Sequence, residues 1–403
     1  MGEPKLRFKA DDGSDFPDWE GMTLGDVGSV AMCKRVFKEQ TREVGDVPFF
    51  KIGTFGGVPD AYISKSLFDE LKSKYAYPEV GTILLSASGT IGRQVEYKGE
   101  DAYYQDSNIV WLEHDDTVLD SYLKQFYSVV KWQGLEGSTI KRLYNKTILD
   151  TPFYRPSLPE QRKIADLLSA VDDVITAQEV EVAAWEKRKK GVMQKLFSQE
   201  VRFKADDGSD FPDWESTTVG ELFTFVTEKN ESGRISDVIT NSAEHGLIPQ
   251  REYFDKDIAV EGNTEGYTVI HKGDFVYNPR KSTIAPFGPF NIYERDEVGI
   301  VSPLYTCLTP RDGETAPYLS WYFKTSRWHR YIVTHGAQGG ARHDRVGMTN
   351  ALMKGIPVML PSLPEQRKIA DCLTSLGDVI AKAKDELDAW RELKKGLLQQ
   401  MFV

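Results

Sequence analysis

The chain has 403 residues, enough for two or three domains that each bury a core, and its hydrophobic content of 40% is that of a globular protein. It contains no apolar run of membrane-spanning length and no apolar signal segment at its N-terminus, so we expect a soluble protein. The three cysteines, Cys33, Cys307 and Cys372, have neither a disulfide-framework nor a metal-ligand spacing, which predicts a reducing compartment and no metal site.

The net charge of −11 argues against a surface that binds nucleic acid through phosphates alone. The basic residues are unevenly placed, however. Residues 131–146 contain four basic residues and only Glu136 as an acid, and residues 321–354 contain six basic residues and only Asp344. Because these two clusters occupy corresponding places in the two halves of the chain, a functional role stands beside ordinary solvated loops as an equal alternative.

The N-terminal segment is one copy of an internal repeat. Arg7–Glu20 and Arg202–Glu215 share the same fourteen residues, RFKADDGSDFPDWE. Asp-Gly and Phe-Pro are turn signals, and the segment ends where a strand is expected to begin. We therefore predict two straps, residues 1–20 and 201–215, in which Trp19 and Trp214 pack onto the domain that comes after each strap.

A first insert, residues 21–156, follows the first strap and is predicted to be a domain of mixed helices and strands. Thr82–Ser86 and Asn108–Leu112 have the composition of buried strands. The loop after the first of these strands is rich in hydroxyl groups and glycine, which suits backbone and side-chain contacts to phosphates. A basic segment lies further along the insert. The predicted DNA-binding residues of this insert are Ser86, Ser88, Thr90, Arg93, Lys141 and Arg142.

Each insert is followed by a long predicted helix, over residues 157–200 and 362–403. Both helices begin with the repeated sequence LPEQRKIAD, at Leu158–Asp166 and again from Leu363. Ser157 with Glu160, and Ser362 with Glu365, have the spacing of capping boxes. A heptad pattern continues through both helices and predicts a coiled-coil seam. The apolar seam positions are Ile164, Leu168, Val171, Ile175, Val182, Trp185, Ile369, Leu373, Leu376, Ile380, Leu387 and Trp390.

The simplest arrangement pairs these helices antiparallel, with one insert at either end. Helices of this length extend roughly 60 Å at 1.5 Å per residue. Gln178, Lys189 and Lys394 interrupt the apolar seam and are predicted to fix its register. Gly191 and Gly396 occupy matching positions, which favours a close approach or a bend near the helix ends.

The second insert, residues 216–361, shares little sequence with the first but has the same kind of pattern. Short strands are predicted around Asp274–Tyr277, Gly299–Val301 and Tyr305–Leu308. Two loops carry basic and amide side chains of the types that contact base edges and phosphates. Their predicted DNA-binding residues are Tyr277, Asn278, Arg280, Lys281, Gln338, Arg342, His343 and Arg345.

A duplicated frame that holds two divergent inserts indicates one scaffold with two recognition surfaces, and so favours binding over catalysis. No phosphate-binding P-loop is possible because the dipeptide Gly-Lys does not occur. The fold class expected is α/β (α+β), with two globular domains joined by two long helices and related by a pseudo-two-fold repeat. We predict no catalytic residues.

The sequence resembles the specificity subunit of Type I restriction–modification systems. The pattern P-x-L-P-E-Q-R-K-I carries this resemblance, since it occurs at Pro156–Ile164 and again at Pro361–Ile369, each time after an insert and before a heptad helix. Gly89–Gly92 and Gly137–Ile140 are also typical of the target-recognition domains of that family. The resemblance extends over essentially the whole chain.

The resemblance implies that each insert reads one half of a bipartite double-stranded DNA site and that the paired helices fix the spacer between the halves. It further implies two modification subunits and restriction (translocase) subunits as partners, in the cytoplasm of a bacterium or archaeon. The chain itself would need no cofactor: S-adenosylmethionine would be bound by the modification subunits, and ATP and Mg by the restriction subunits. The alternative is a non-catalytic coiled-coil adaptor whose basic loops bind acidic proteins.

Overall fold

The structure, a computed structural model, describes residues 4–132, 142–253, 264–336 and 344–402. The chain divides into two compact units. The first contains Met1–Val180 together with Lys384–Val403, and the second contains Glu181–Ala383. The strands predicted from the sequence are confirmed in both inserts.

The first unit contains short strands and helices before a long helix begins. The strands are β1 (Glu20–Thr23), β2 (Gly28–Ala31), β3 (Val47–Phe50), β4 (Tyr62–Ile63), β5 (Ile83–Ser86), β6 (Gln94–Glu96), β7 (Tyr103–Tyr104), β8 (Ile109–His114) and β9 (Pro152–Arg155). The helices are α1 (Lys65–Lys74), α2 (Asp120–Tyr127), α3 (Asn145–Leu149) and α4 (Leu158–Ser198), which ends in the second unit.

The second unit contains the equivalent series and the start of the last helix. The strands are β10 (Glu215–Thr218), β11 (Phe223–Phe225), β12 (Ile239–Ser242), β13 (Gly246–Pro249), β14 (Thr268–Ile270), β15 (Phe275–Tyr277), β16 (Phe290–Ile292), β17 (Gly299–Val301), β18 (Thr306–Pro310) and β19 (Pro357–Leu360). The helices are α5 (Val219–Leu222), α6 (Gln250–Tyr253), α7 (Ala316–Tyr322), α8 (His329–His335), α9 (Asn350–Lys354) and α10 (Leu363–Met401).

The two inserts share a sheet arrangement although their sequences diverge. The first has a four-stranded antiparallel sheet in the order β2-β8-β5-β6, and the second has one in the order β11-β18-β15-β16. Each insert is also closed at its base, because β1 pairs with β9 and β10 pairs with β19. The central strands β5 and β15 are fully buried, as their apolar composition predicts.

The repeated strap and the repeated start of the helix contact each other, which explains why both segments recur. The Glu160 carboxylate is fully buried and accepts hydrogen bonds from Arg7 Nε at 3.1 Å, Arg7 Nη2 at 2.9 Å and Trp19 Nε1 at 3.0 Å. Lys163 Nζ donates to Asp11 Oδ1 at 2.6 Å. A buried carboxylate requires such partners, and a bidentate arginine satisfies both of its oxygens.

The second unit repeats this cluster almost atom for atom. Glu365 accepts from Arg202 Nε at 3.0 Å, from Arg202 Nη2 at 2.8 Å and from Trp214 Nε1 at 3.1 Å. Lys368 Nζ donates to Asp206 Oδ1 at 2.6 Å. The predicted packing of both strap tryptophans is confirmed, since Trp19 meets Tyr122 and Trp214 meets Tyr318 edge to face.

The predicted capping boxes are wrong. The carboxylates of Glu160 and Glu365 are taken by the strap, and among the described residues the buried hydroxyls of Ser157 and Ser362 have no hydrogen-bond partner. The S-x-x-E spacing therefore reflects a tertiary contact of the glutamate rather than a local cap. The buried strap cluster makes stronger, charge-assisted hydrogen bonds than a cap would.

The two long helices run antiparallel within each unit. In the first unit Lys394 Nζ donates to Asp172 Oδ1 at 2.6 Å and Arg391 Nη2 to Glu179 Oε1 at 2.7 Å, so one helix ascends as the other descends. All twelve predicted apolar seam residues are buried or half-buried. A close approach at Gly191 or Gly396 is wrong, because a Cβ atom at either position would meet no described residue within 4 Å. The alternative, a bend near the helix ends, stays a prediction.

Candidate nucleic-acid interface

The loop after β5 in the first insert is a compact turn built around Ser86. This side chain is 2% exposed, and its hydroxyl donates to the Thr90 carbonyl and accepts from the Arg93 amide. Gly89 and Gly92 adopt φ angles of +66° and +76°, which a residue with a Cβ rarely adopts. The loop consequently presents Thr90 and Arg93 to solvent.

A second segment joins this loop from a distant part of the chain. Ser88 forms a β-bridge with Arg142, and the Leu143 amide donates to the Ala87 carbonyl at 2.8 Å. The Arg142 guanidinium is itself held, since Nη2 donates to the Ser107 carbonyl at 2.7 Å. Two segments that the sequence indicated separately therefore form one surface, ahead of helix α3.

The second insert has the same junction. Arg280, in the loop after β15, forms a β-bridge with Arg345 from a distant part of the chain, and the Val346 amide donates to the Pro279 carbonyl at 2.8 Å. The Lys281 amide donates to the Asp344 carbonyl at 2.9 Å. The two junctions thus share the β-bridge and the backbone hydrogen bond beside it, with Arg345 in the place of Arg142, although their loop sequences differ.

The loop after β15 is anchored at both ends. The Tyr277 hydroxyl donates to the Phe287 carbonyl at 2.7 Å, and Phe287 packs against His329 with ring centroids 4.6 Å apart. Burial lowers the pKa of His329 below its usual value. Gly288 has a φ of +84°, and a Cβ atom there would lie 2.0 Å from the Asn278 carbonyl oxygen. Only glycine fits this close approach.

Two predicted contact residues belong to the interior. Ser86 is consumed within its loop, and Tyr277 is 0% exposed in the core. Because both side chains are buried, the prediction that they contact DNA directly is corrected. Each lies at the end of a buried central strand and holds the following loop in place through a hydrogen bond. The structure gives Asn278 a similar internal role, because its Nδ2 donates to the Asn241 carbonyl at 3.1 Å and its Oδ1 accepts from the Arg280 amide at 3.0 Å.

The other predicted residues divide into two groups. Ser88, Thr90, Arg93 and Arg142 lie at the first junction, and Arg280, Lys281 and Arg345 lie at the second. Four predicted residues fall outside the described residues: Lys141, Gln338, Arg342 and His343.

A recess beside the second junction contains residues that the sequence did not indicate. It has a volume of about 490 Å³, and its walls come mainly from the β12–β13 hairpin, the loop after β15 and the turn before β18, with Gln250, Tyr267 and Arg345 added from other segments. Thr240, Gln250, Leu304 and Tyr305 are among the lining residues. No local pattern marks them, because they come from separate segments that only the folded chain brings together.

Among the described residues, no group of three or more His, Cys, Asp or Glu side chains is placed to hold a metal ion. Within the same part of the chain, no helix has the length and apolar character needed to cross a membrane.

Comparison with known proteins identifies the kind of protein to which these units belong. The family model described as Type I restriction modification DNA specificity domain matches twice, at residues 17–183 and 212–389. The putative type I restriction enzyme specificity subunit S.HindORF215P of Haemophilus influenzae is 57% identical over 146 residues, a match that covers 36% of this chain and 38% of that protein.

Two further matches extend over nearly the full length. The putative type I restriction enzyme MjaX specificity subunit of Methanocaldococcus jannaschii is 23% identical over 436 residues, covering 98% of this chain and 95% of that protein. The crystal structure of the Type I restriction–modification S subunit from M. genitalium has a TM-score of 0.58 at 17% identity and covers 100% of this chain and 99% of its own. The latter similarity shows a common fold.

Proposed function

Since the chain belongs to the family of Type I restriction–modification DNA specificity domains, we propose that its two inserts each read one half of a bipartite double-stranded DNA sequence. In this role the chain is the non-catalytic recognition subunit of a methyltransferase and endonuclease complex. Two modification subunits supply S-adenosylmethionine-dependent adenine methylation, and restriction subunits supply ATP- and Mg-dependent translocation and cleavage.

The duplicated junction is the observation that supports this proposal most strongly. Both inserts place an arginine, Arg142 or Arg345, on a loop bonded to the turn that follows the central strand. The surrounding loop sequences differ completely. A common geometry with different side chains is suited to two readers of different half-sites, because phosphate contacts fix position and base contacts specify sequence.

The identical frame supports the proposed binding of two copies of one partner. Exposed acidic residues of the strap are the same in both halves, for example Asp18 and Asp213, whose side chains are fully exposed. The contact between strap and helix does not require all of these exposed groups. We therefore assign the duplicated frame to the docking of two modification subunits, which would also supply much of the positive charge for DNA that this acidic chain lacks.

Genome-wide mapping of N6-methyladenine tests the proposal. The chain is co-expressed with its neighbouring modification subunit in a methylation-free bacterium, and complex formation is verified by co-purification. We expect one bipartite motif with a fixed gap. A verified complex that adds no methylation would contradict the recognition role and favour the adaptor alternative.

The spacer role of the helices makes a separate prediction. Inserting four residues after Thr176 lengthens α4 by about 6 Å and rotates the downstream part of the helix by roughly one turn. The methylated motif should keep both half-sites and gain a wider gap. A matched insertion of four residues into the exposed strap turn at Gly208 should leave the gap unchanged. An unaltered gap in the helix variant, with methylation intact, would refute the spacer role.

A further inference from the structure

The recess beside the second junction is concave, whereas reading the edge of a paired base needs a projecting loop. Its volume of about 490 Å³ lies within the range of small-ligand sites, about 300–1,000 Å³. Three basic residues line the recess: Arg280, Lys281 and Arg345. Glu244 is the one acidic residue among the described residues that line it. The lining therefore has an excess of positive charge, which suits a phosphodiester backbone.

The recess is held by fixed amides. Asn241 is 3% exposed; its Nδ2 donates to the Val276 carbonyl at 2.6 Å, and its Oδ1 accepts from Asn291 Nδ2 at 2.7 Å. Asn278 donates to the Tyr305 hydroxyl at 3.4 Å as well as to the Asn241 carbonyl. These bonds order the walls before any ligand arrives, which lowers the conformational cost of binding.

Two half-buried polar side chains of the lining are free to bind a ligand. Within the part of the chain that the structure describes, neither the side-chain amide of Gln250 nor the hydroxyl of Thr240 has a hydrogen-bond partner. A glutamine amide carries a donor and an acceptor side by side, the arrangement that matches adjacent donor and acceptor atoms on a nucleobase.

The rim of the recess supplies apolar surface. Ile284 is 68% exposed and Leu304 is 53% exposed, and both line the recess. Tyr267 and Tyr305 add half-buried aromatic rings. Large apolar side chains exposed next to cations are unusual on a surface that contacts only phosphates, whereas flat apolar and aromatic surfaces suit the faces of a nucleobase.

We propose that this recess binds a single nucleobase of the second half-site after the base has left the DNA stack, with Gln250 reading its hydrogen-bonding edge. The inference rests on the proposed DNA recognition. A paired base exposes only its edge in a groove, so a recess with apolar, aromatic and amide walls is filled only when the base is turned out. The first insert differs here, since Trp132 packs against its loop and would lie 2.6 Å from a Cβ atom at Gly92.

Fluorescence of 2-aminopurine tests the proposal in the complex of this chain with its modification subunit, without S-adenosylmethionine. The probe replaces each purine of the second half-site in turn, on both strands, except the adenine that becomes methylated. We expect a several-fold rise in fluorescence at one position upon binding. A mismatch opposite that position should strengthen binding about tenfold, because unpairing then costs less.

Gln250→Ala should abolish the fluorescence rise at that position and reduce discrimination among bases there about tenfold. The matched control is Glu252→Ala, which changes an exposed side chain two residues further along the same short helix. This variant should show the same fluorescence rise and base discrimination as the unmodified protein. Circular dichroism of both variants establishes that they fold.

The outcomes separate the two proposals. Sequence-selective binding without any rise in fluorescence, with every mismatch weakening binding, would overturn the recess proposal and leave the recognition role intact. A rise that Gln250→Ala does not alter would assign the extruded base to another site and equally overturn it. If the complex of the unmodified chain with its modification subunit bound DNA without any sequence selectivity, the recognition role itself would be refuted.

Discussion

Each half of the molecule has a lysine at the equivalent position of its helix pair, Lys394 in the first unit and Lys189 in the second, but the two lysines make different contacts. In the first unit Lys394 Nζ donates to Asp172 Oδ1 at 2.6 Å, and Gln125 Nε2 reaches the same carboxylate at 3.4 Å. In the second unit the equivalent Lys189 lies over the ring of Trp321, 4.4 Å from its centroid. The contact with Trp321 is thus a cation–π contact, whereas the contact of Lys394 with Asp172 is an ion pair.

The difference extends to a matched set of positions. Gly377 occupies the helix position of Asp172, and Trp321 occupies the position of Gln125. A Cβ atom at Gly377 would lie 3.3 Å from Lys189 Nζ and 3.9 Å from the Trp321 ring. Glycine therefore leaves room for the lysine ammonium group beside the indole. The frame is identical where strap and helix contact each other, and it varies where the helix contacts a divergent insert.

The strap cluster should be equally important in both halves, and its loss has the largest expected effect. Glu365→Ala leaves the partly buried Arg202 guanidinium and the Trp214 N–H without their acceptor, and should destabilise the second unit by about 3–5 kcal/mol. Glu160→Ala should do the same to the first unit. Hydrogen exchange of peptides from each unit, across a urea series, measures both.

An exposed neighbour serves as the control for this experiment. Arg162→Ala, two residues along the same helix, should change stability by less than about 0.5 kcal/mol. If Glu160→Ala and Glu365→Ala lowered the stability of their units by clearly unequal amounts, the strap and helix contacts of the two halves would not be energetically equivalent.

Exchanging the partners of the lysine sharpens the comparison. Trp321→Gln removes a buried indole and should cost the second unit about 3 kcal/mol. Adding Gly377→Asp rebuilds the lysine, carboxylate and amide set of the first unit and should recover about 1 kcal/mol. Urea unfolding of the single and double variants provides the coupling energy. A double variant less stable than Trp321→Gln would show that the lysine, carboxylate and amide set of the first unit does not stabilise the second.

Removing the lysines should have smaller effects that respond differently to salt. Lys394→Met should cost up to about 1 kcal/mol at low ionic strength and less at high salt, because its partner Asp172 is partly exposed. The cation–π contact that Lys189→Met removes should contribute about 0.5–1 kcal/mol, and this contribution should depend less on salt. Stability curves at low and high sodium chloride distinguish the two, and identical salt dependence would contradict the assignment.

The smallest expected effect is an opposite response of the halves to pH. A hydrogen bond to Asp120 raises the pKa of His114 in the first unit, whereas burial lowers the pKa of His329 in the second. The stability from His114 is present below its unfolded pKa near 6.5 and is lost as pH rises through the raised folded pKa. The stability from His329 is present above that unfolded pKa and is lost as pH falls through the lowered folded pKa.

Acidification through this range should therefore favour the first unit over the second. Hydrogen exchange of both units at several pH values measures the effect, with His114→Gln and His329→Gln as the variants that each remove one response. Parallel shifts in both units that survive these substitutions would rule out the two histidines as the cause.

The sequence alone determined the frame of this protein. Exact repetition located the straps and the helix starts, and the heptad pattern selected the buried face of both helices, because helical periodicity is a local property that amphipathic burial enforces. The strands were equally visible, since short, mainly apolar runs such as Ile83–Ser86 are buried on both sides. The same local pattern misassigned Glu160, whose capping-box spacing is genuine but whose partner lies 153 residues away.

Only the tertiary structure decided how the candidate surfaces are built. It brought Ser88 to Arg142 and Arg280 to Arg345, turned Ser86 and Tyr277 into the interior, and assembled a recess from several separate segments. No sequence pattern encodes these results, because they depend on which strands become neighbours in a sheet. Periodicity fixes which face of an element is buried, whereas the sheet order fixes which loops meet, and recognition depends on the loops.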